Sequence, residues 1–437
     1  MSNFAKKIQV AVILASTMIA IGTIAHAQAE TLYQSIQYLS KNQKQIKAAQ
    51  ADVDAAIERV EAAWGAWYPE LSITTNWGRE KQNKASGTAD SEEHPREFGA
   101  TVTQNVWDFG STNSAIDSAL LTLERSRINL TSTRQAIVLQ GIEAHLNLVR
   151  ANKVLKFANS SAENIRGQLK LEDARVQRGG GLATDVLQAK TQLAGAEARA
   201  NSSAAGLRNA MNAYRRFFKK LPEKIEDLEE PRVPFELLPK SEEEMLKVLF
   251  KNNPGLKLSK LDADILDQTV IKTRADEFFP KVNATASTKA KTDAGGTAGS
   301  ATEQLFKIEL TYSLNLGLTE RNTLKASRQD HLAGTERYID ARASIEQQAR
   351  DLWSNYKRDK ENSDFLKNQA NIASEFLDLA RKERELGNRT LMDVLSGETA
   401  LINANSDAAS TETDLKLDVF RILNIIGLLD ADVLAPS

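Results

Sequence analysis

Two long stretches of the chain, residues 96–221 and 281–435, contain no proline. Proline in a helix interior costs about 3 kcal/mol or more, and both stretches are rich in Ala, Leu, Gln, Glu, Lys and Arg, which favour helix. The pattern predicts two helices of roughly 68 residues, Ser111–Arg178 and Thr319–Leu386, each roughly 100 Å long at 1.5 Å per residue. We therefore expect an elongated structure.

Four shorter segments are predicted to be helices of about half that length. They are Glu30–Ala66, Ala183–Lys219, Glu242–Phe278 and Thr390–Leu428. Two such helices stacked end to end would cover one long helix, which favours a tube over an ordinary bundle. Pro254 is expected to divide the third segment into a short helix and a longer one.

The two halves of the chain resemble each other in motif and in order. WYPEL at 67–71 corresponds to FFPKV at 278–282, and ARVQRGGGLATDVL at 174–187 corresponds to ARKERELGNRTLMDVL at 380–395. Each half is predicted to run helix, strand, strand, long helix, turn, helix. The sequence therefore indicates an internal duplication.

Apolar residues recur every seven positions in both long helices, which is typical of coiled coils. The two series are Ile116, Leu123, Leu130 and Ile137, and Phe365, Ile372, Leu379 and Leu386. We expect these helices to pack lengthwise against neighbours.

Four segments are predicted to be strands, paired as two hairpins with polar, flexible loops at 78–97 and 291–304. The segments are Leu71–Trp77, Phe98–Trp107, Val282–Ala290 and Leu305–Leu316. FKIELTYSLNL at 306–316 is the clearest, because alternation with a period of two gives a strand one apolar and one polar face.

That strand has faces of opposite chemistry. Its apolar face carries Phe306, Ile308, Leu310, Tyr312 and Leu314, and its polar face includes Lys307 and Glu309. Such a strand fits a soluble sandwich or, at about eleven residues, a tilted membrane strand. Four strands do not close a membrane barrel, and an open edge in lipid leaves backbone groups unsatisfied at several kcal/mol each. If the strands cross lipid, two or three copies must pool eight or twelve strands.

The N-terminus is typical of a secretory signal peptide. Lys6 and Lys7 precede a mostly apolar run at 8–24 that closes on the triplet Ala25–Ala27, so cleavage is expected after this triplet. No other segment approaches the roughly twenty apolar residues of a membrane helix. The chain has no cysteine, and its formal net charge of −2 gives no reason to expect nucleic acid as a partner.

The chain resembles the TolC-like family of outer-membrane efflux and secretion ducts. The resemblance covers nearly all of the chain after the signal peptide. It rests on the duplication, on YPEL and FPKV, on WDFG and NLGL at the ends of the second strands, and on the turn motifs GGGLATDVL and LGNRTLMDVL.

The resemblance implies an α+β membrane protein. The family fold is a homotrimer whose shared twelve-strand β-barrel, with four strands from each chain, lies in the lipid of the outer membrane of a Gram-negative bacterium. This barrel continues into a long periplasmic α-helical coiled-coil barrel. Such a duct works with a periplasmic adaptor protein and an inner-membrane ABC or proton-driven transporter, and it needs no cofactor.

The resemblance also implies a gate at the periplasmic end. Its arginine corresponds to Arg389, expected to pair with Thr184 and Asp185, while Arg384 stands where the family has a tyrosine. The acidic constriction ring corresponds to Asp393. Asp185 and Asp393 also have a plainer interpretation as acids that stabilise a helix start. The turns that an adaptor is expected to contact contain Gly179, Gly180, Gly181, Leu182, Gly387 and Asn388.

These inferences divide the chain into five parts. They are a signal peptide (1–27), a first repeat (28–220), an inter-repeat linker (221–244), a second repeat (245–430) and a C-terminal tail (431–437). The strand hairpins are predicted at 71–107 and 281–317, and the long helical hairpins at 111–219 and 319–428.

The expected function is that of an exit duct for proteins or small molecules. A periplasmic coiled-coil scaffold without transport activity is the alternative, and membrane fractionation separates the two. A stand-alone porin would not need such long helices. No enzyme is expected, because His94, His145 and His331 are isolated in the sequence and no metal-ligand spacing, phosphate loop, GxSxG motif or cysteine nucleophile occurs.

Leu310→Arg tests whether the apolar strand face contacts lipid. A charge on that face near the bilayer midplane costs roughly 2 to 4 kcal/mol, so the amount of protein assembled in the outer membrane should fall. Outer-membrane fractionation measures this amount. Normal assembly of the variant would contradict a lipid-facing Leu310.

Overall fold

A computed structural model describes residues 32–85, 89–222, 224–228 and 230–435 of the chain. The predicted signal peptide at 1–27 lies outside the described residues. Within them, no helix combines the length and the apolar character needed to cross a membrane.

The helices and strands follow a similar order in both halves of the chain. In the first half they are α1 (Leu32–Asn42), α2 (Lys44–Trp64), β1 (Glu70–Trp77), β2 (Glu80–Gln82), β3 (Ser91–Glu93), β4 (Arg96–Trp107), α3 (Ser111–Gln177) and α4 (Ala183–Phe218). In the second half they are α5 (Glu242–Asn252), α6 (Pro254–Phe278), β5 (Lys281–Thr292), β6 (Ser300–Thr311), α7 (Thr319–Glu385) and α8 (Leu391–Ile425). The two predicted long helices are confirmed, since α3 and α7 each contain 67 residues.

The first predicted helix, Glu30–Ala66, is wrong as a single element, because α1 and α2 are separated at Gln43. Gln43 has an extended backbone, and its side-chain oxygen accepts a hydrogen bond from the next amide (3.2 Å), so it starts a new helix. The break predicted at Pro254 is confirmed. Asn253 caps α6 there by accepting a hydrogen bond from the Leu256 amide (2.7 Å).

Four of the strands form one antiparallel sheet in the order β1-β4-β5-β6. The central pair, β4 and β5, comes from opposite halves of the chain and joins them. β1 and β6 are the edge strands, and within the described residues no further strand pairs with their outer sides. The loop predicted at 78–97 is more ordered than expected, since β2 and β3 form a small antiparallel sheet in it.

The last strand begins and ends earlier than predicted. β6 pairs with β5 along its whole length and ends at Thr311, not at Leu316. The reason lies in its partner: β5 starts directly after Pro280, which has no amide hydrogen to donate, so the residues that follow β6 have no strand to pair with. Asn315 turns the chain instead, as its side-chain oxygen accepts a hydrogen bond from the Gly317 amide (2.8 Å).

The helices pack side by side as a wall. α2, α3, α6 and α7 are neighbours in that order, α3 with α4 and α7 with α8 form two hairpins, and α3 also contacts α8. The largest core lies where α1 and α5 meet the middle of α3 and the end of α8. Its centre contains Ile36, Ile142, Leu249 and Phe420, all fully buried. This core holds the two long hairpins together.

The described part of the linker is irregular apart from short 3-10 turns and the start of α5. Lys153 of α3 and Lys416 of α8 both donate hydrogen bonds to the carboxylate of Glu230 in the linker. The linker therefore ties the two helical hairpins to each other at this level.

An acidic side chain binds backbone amides at the start of each long helix. Asp108 of the WDFG motif accepts hydrogen bonds from the amides of Gly110 (3.2 Å) and Thr112 (2.8 Å), which satisfies free amides at the start of α3. At the start of α7, Glu320 accepts a hydrogen bond from the Asn315 amide (2.5 Å). The motifs at the strand ends thus fix where the helical wall begins.

The two heptad series have different surroundings. Ile116, Leu123, Leu130 and Ile137 are buried, and the last three pack against α2, as expected for a coiled coil. The α7 stripe, which consists of Phe365, Ile372, Leu379 and Leu386, is between 55% and 77% exposed. The single chain leaves this apolar stripe uncovered.

Candidate functional site

The four-strand sheet has one mainly apolar and one mainly polar face. One row across β1, β4, β5 and β6 contains Leu71, Val102, Ala286 and Phe306. The predicted lipid-facing residues Phe306, Ile308 and Leu310 lie on this face and are 74%, 69% and 65% exposed. An exposed apolar face of this kind is typical of strands in a bilayer.

The polar face carries ion pairs between neighbouring residues. Glu97 lies 3.8 Å from Lys289, Lys291 lies 2.7 Å from Glu303, and Lys307 lies 2.7 Å from Glu309. Because acids and bases lie close together on this face, it suits contact with water and not with lipid.

Tyr312 and Leu314, two of the predicted lipid-facing residues, were predicted to lie in the last strand, but that strand ends before them. Both follow Thr311, the last residue of β6, and so lie outside the sheet. The apolar and polar alternation of the sequence continues past the point where the partner strand ends. Alternation alone therefore placed the end of the strand five residues too late.

An aromatic cluster, which the sequence analysis did not predict, lies where β4 ends and α3 begins. An irregular register after Asn105 places Trp107 opposite Val282, on the apolar face. Phe109 stacks on Phe279 with ring centroids 4.9 Å apart and meets the ring of Trp107 edge-on at 6.0 Å. Aromatic rings are enriched at the boundary between bilayer and water. The aromatic residues of the WDFG and FFPKV motifs are the sequence feature from which this cluster could have been predicted.

The two helical hairpins end in turns of the same geometry, and these turns are the tips of the structure. Gly179 and Gly387 both have a φ of 81°, a left-handed conformation that glycine adopts without strain. In each turn the amide of the following residue donates to a carbonyl in the last turn of the helix (2.9 Å). The other predicted tip residues, Gly180, Gly181, Leu182 and Asn388, lie in the same two turns.

Both acids predicted at the tips lie in the first turn of a helix. Thr390 and Asp393 form a capping box at α8, in which the Asp393 amide donates to the Thr390 hydroxyl (3.2 Å) and the Thr390 amide donates to the Asp393 carboxylate (3.4 Å). Asp185 lies in the first turn of α4. The capping interpretation of Asp393 is confirmed, and its role in a constriction ring stays a prediction.

Arg389 has partners on its own hairpin. Its Nε donates to Glu383 (2.6 Å), and its guanidinium lies 5.3 Å from the ring centroid of Phe376. Among the described residues, no hydrogen bond or ion pair joins Arg389 to Thr184 or Asp185 within one chain. The predicted pairing of these residues stays a prediction.

Arg384 makes a contact that crosses from one hairpin to the other. Its Nη2 donates to Oε2 of Glu172 on α3 (2.9 Å), and its Nη1 donates to the carbonyl of Arg389 (3.1 Å). The side chain of Glu172 is only 4% exposed. Because a buried carboxylate requires a partner, this ion pair connects α3 to α7 next to the tips.

A second buried carboxylate connects the same helices. Glu398 of α8 is 2% exposed, and it accepts hydrogen bonds from Arg381 of α7 and from the side-chain amide of Asn164 on α3 (3.3 Å). We call the residues of these two contacts the tip lock; they are Glu172, Arg384, Glu398, Arg381 and Asn164.

The tip lock is suited to hold the two hairpins together. Breaking a buried pair typically costs 3 to 5 kcal/mol, because one charge is left uncompensated, whereas an exposed ion pair contributes about 0 to 1 kcal/mol.

In the described part of the chain, no group of three or more His, Cys, Asp or Glu residues could hold a metal ion.

Comparisons with known proteins agree in family and in fold. A family model described as outer membrane efflux protein matches residues 35–216 and 246–428, more than half of the chain. The outer membrane efflux protein BepC of Brucella suis is 22% identical over 431 residues, which cover 97% of this chain and 91% of BepC. The outer membrane protein TolC of Escherichia coli is 23% identical over 431 residues, which cover 94% of this chain and 85% of TolC.

A solved structure has the same fold. The crystal structure of a membrane protein from Pseudomonas aeruginosa aligns with a TM-score of 0.81 at 18% sequence identity, and the alignment covers 91% of this chain and 93% of that chain. The long helices and the sheet are therefore shared, although few residues are identical.

Glu172→Gln should loosen the contact between the hairpin tips. The variant leaves the guanidinium of Arg384 without its buried counter-charge, at a cost on the order of 3 kcal/mol. Hydrogen exchange of the amides at 378–392 should become faster. Asp173→Asn is the matched control, because Asp173 is exposed and its only hydrogen-bond partner among the described residues is Gln177, one turn away. Equal exchange in the two variants would contradict a structural role for Glu172.

Proposed function

Because this chain belongs to the outer membrane efflux protein family, we propose that it acts as the homotrimeric exit duct of a three-component export system. Like that family, it is an outer-membrane channel that reaches into the periplasm. The observation that carries the proposal is the open, two-faced sheet. Its edge strands, β1 and β6, pair with no further strand of the described ranges on their outer sides, and one of its faces is apolar. In lipid each unsatisfied group costs several kcal/mol.

Pairing β6 of one copy with β1 of the next removes both edges. Three copies give twelve strands, with the apolar face toward lipid and the polar face with its Lys and Glu residues toward a water-filled lumen. Two copies would give only eight strands, and a barrel of that size fills its interior with side chains. A duct needs the larger barrel.

The α7 stripe supports the same assembly. Burial of a large apolar side chain stabilises by about 1.5 to 3 kcal/mol, so a stripe of four exposed residues favours contact with another copy. α2 and α7 are the outer helices of the wall, and repetition of the wall around an axis gives a helical tube below the barrel.

The tips are the surfaces that we assign to other proteins of the system. Gly179 and Gly387 with their neighbours would contact a periplasmic adaptor, which connects the duct to an inner-membrane ABC or proton-driven transporter.

The gate would consist of the tip lock within each chain, of Arg389 with Thr184 and Asp185, and of a ring of Asp393 side chains. The proposed duct chain consists of two structural repeats, 28–220 and 245–430.

Ile372→Glu tests the assembly. Ile372 is 57% exposed in the single chain, so the substitution should leave the fold of one chain intact and prevent the trimer, because a charge would then be buried between copies. Mass photometry in detergent measures the size of the assembly. Asn371→Glu, at an exposed polar position beside it, should assemble as the wild type does. Trimers formed by both variants would contradict the proposed interface.

Gene deletion tests the transport role. Loss of a secreted protein would assign the duct to secretion, and hypersensitivity to antibiotics or detergents would assign it to efflux. Wild-type protein should restore the phenotype, and Ile372→Glu should not. A deletion strain with an unchanged secretome and unchanged susceptibility would overturn the export function.

A further inference from the structure

A cluster of ionisable side chains lies at the level where α3, α7 and α8 meet, far from the tips. α3 contributes Glu143 and Arg150, α7 contributes Arg358 and Asp359, and α8 contributes Asp414, Asp418 and Arg421. The cluster therefore contains one carboxylate more than it contains guanidinium groups.

Asp418 is the carboxylate without an arginine of its own. Each of the other three has one: Asp414 binds Arg150 (3.0 Å), Asp359 binds Arg358 through both oxygens (2.7 and 3.0 Å), and Glu143 binds the Nε of Arg421 (3.0 Å). Asp418 receives a single bond from the Nη1 of Arg421 (3.3 Å), and no group in the described part of the chain forms a hydrogen bond with its Oδ2.

The surroundings of Asp418 disfavour a negative charge. The residue is 3% exposed, and its chain neighbours Leu417 and Val419 belong to the largest core. Burial raises the pKa of Asp418 to about 6, and the negative charges of Asp359 and Asp414 add to this increase while Arg421 opposes it. A proton on Asp418 removes the surplus charge of the cluster and makes the buried carboxyl group neutral, which lowers the cost of burying its unpaired oxygen.

We propose that Asp418 is a proton-binding site that fixes α8 to α7 when it is protonated and weakens this contact when it ionises. In an opened arrangement water would hydrate Asp418, and its pKa would return toward the ordinary value of 3.8. The opened arrangement therefore binds fewer protons, and it becomes more favourable as the pH rises from about 4 through about 6.

The site has a consequence for the duct that rests on the proposed function. The α7–α8 hairpin carries Arg389 and Asp393 at its far end, so a looser hairpin would make the proposed gate easier to open. The tips would then separate more readily at neutral than at acidic pH.

Hydrogen exchange of the assembled protein at pH 5 and pH 8, corrected for the intrinsic pH dependence of exchange, tests the site. In the wild type the opening equilibrium of the amides at 410–425 should rise roughly tenfold between the two pH values, as a pKa change from 3.8 to about 6 requires. Asp418→Asn is neutral at both and keeps an oxygen for Arg421. It should abolish the rise and be at least as protected as the wild type at pH 8.

Asp414→Asn is the matched control, one turn away on the same helix. It removes the partner of Arg150, so it should lower protection at both pH values. The rise should become smaller but persist, because the charge of Asp414 contributes to the raised pKa of Asp418 while burial is its main cause. A rise in Asp418→Asn equal to that of the wild type, or lower protection of this variant at pH 8, would overturn the proposal. Neither result depends on cargo, so a failure of the export function would appear in the deletion strain and leave the exchange data unchanged.

Discussion

The unpaired backbone groups along the two edges of the sheet are the constraint on which the rest of the structure depends. A strand edge is tolerable in water and very costly in lipid, and the apolar face of this sheet is suited to lipid. The chain has no further strand within its described residues to cover either edge. In the proposed trimer, assembly would therefore be part of folding, and the helical wall below the sheet would close into a tube in the same step. Like the open sheet edges, the exposed α7 stripe is a surface that contact with another copy would cover.

Much of the fold could be predicted because its signals are local. The lengths of α3 and α7 follow from the absence of proline, and the break at Pro254 follows from its presence. The end of β6 was misjudged because it is decided by a partner strand that starts after Pro280, and no residue of β6 itself records this. The break at Gln43 was missed for a different reason: a glutamine side chain caps a helix there, in a position where glutamine is also an ordinary helical residue.

Some residues of the candidate site could likewise be predicted from the sequence, and others could not. The glycine turns and the capping box of Thr390 and Asp393 are short-range patterns and were visible in the sequence. The burial of Glu172, Glu398 and Asp418 was not, because an acid on a long helix has the same sequence context whether it faces water or another helix. Their partners come from different helices that are distant in sequence, as with Asn164 and Glu398. Buried acids of this kind become recognisable only when the packing of α3, α7 and α8 is known.

The pairing of β4 with β5 has a consequence for the order in which the chain folds. The two strands are neighbours in the sheet, yet α3, α4, the linker, α5 and α6 lie between them in the chain. Contacts between distant segments form late, since a large loop must close first, whereas the α3–α4 and α7–α8 hairpins involve adjacent segments and form early. During export from the cell interior, the first hairpin of strands must therefore wait for the last third of the polypeptide. In that interval its apolar face is exposed to the aqueous periplasm, where it favours aggregation.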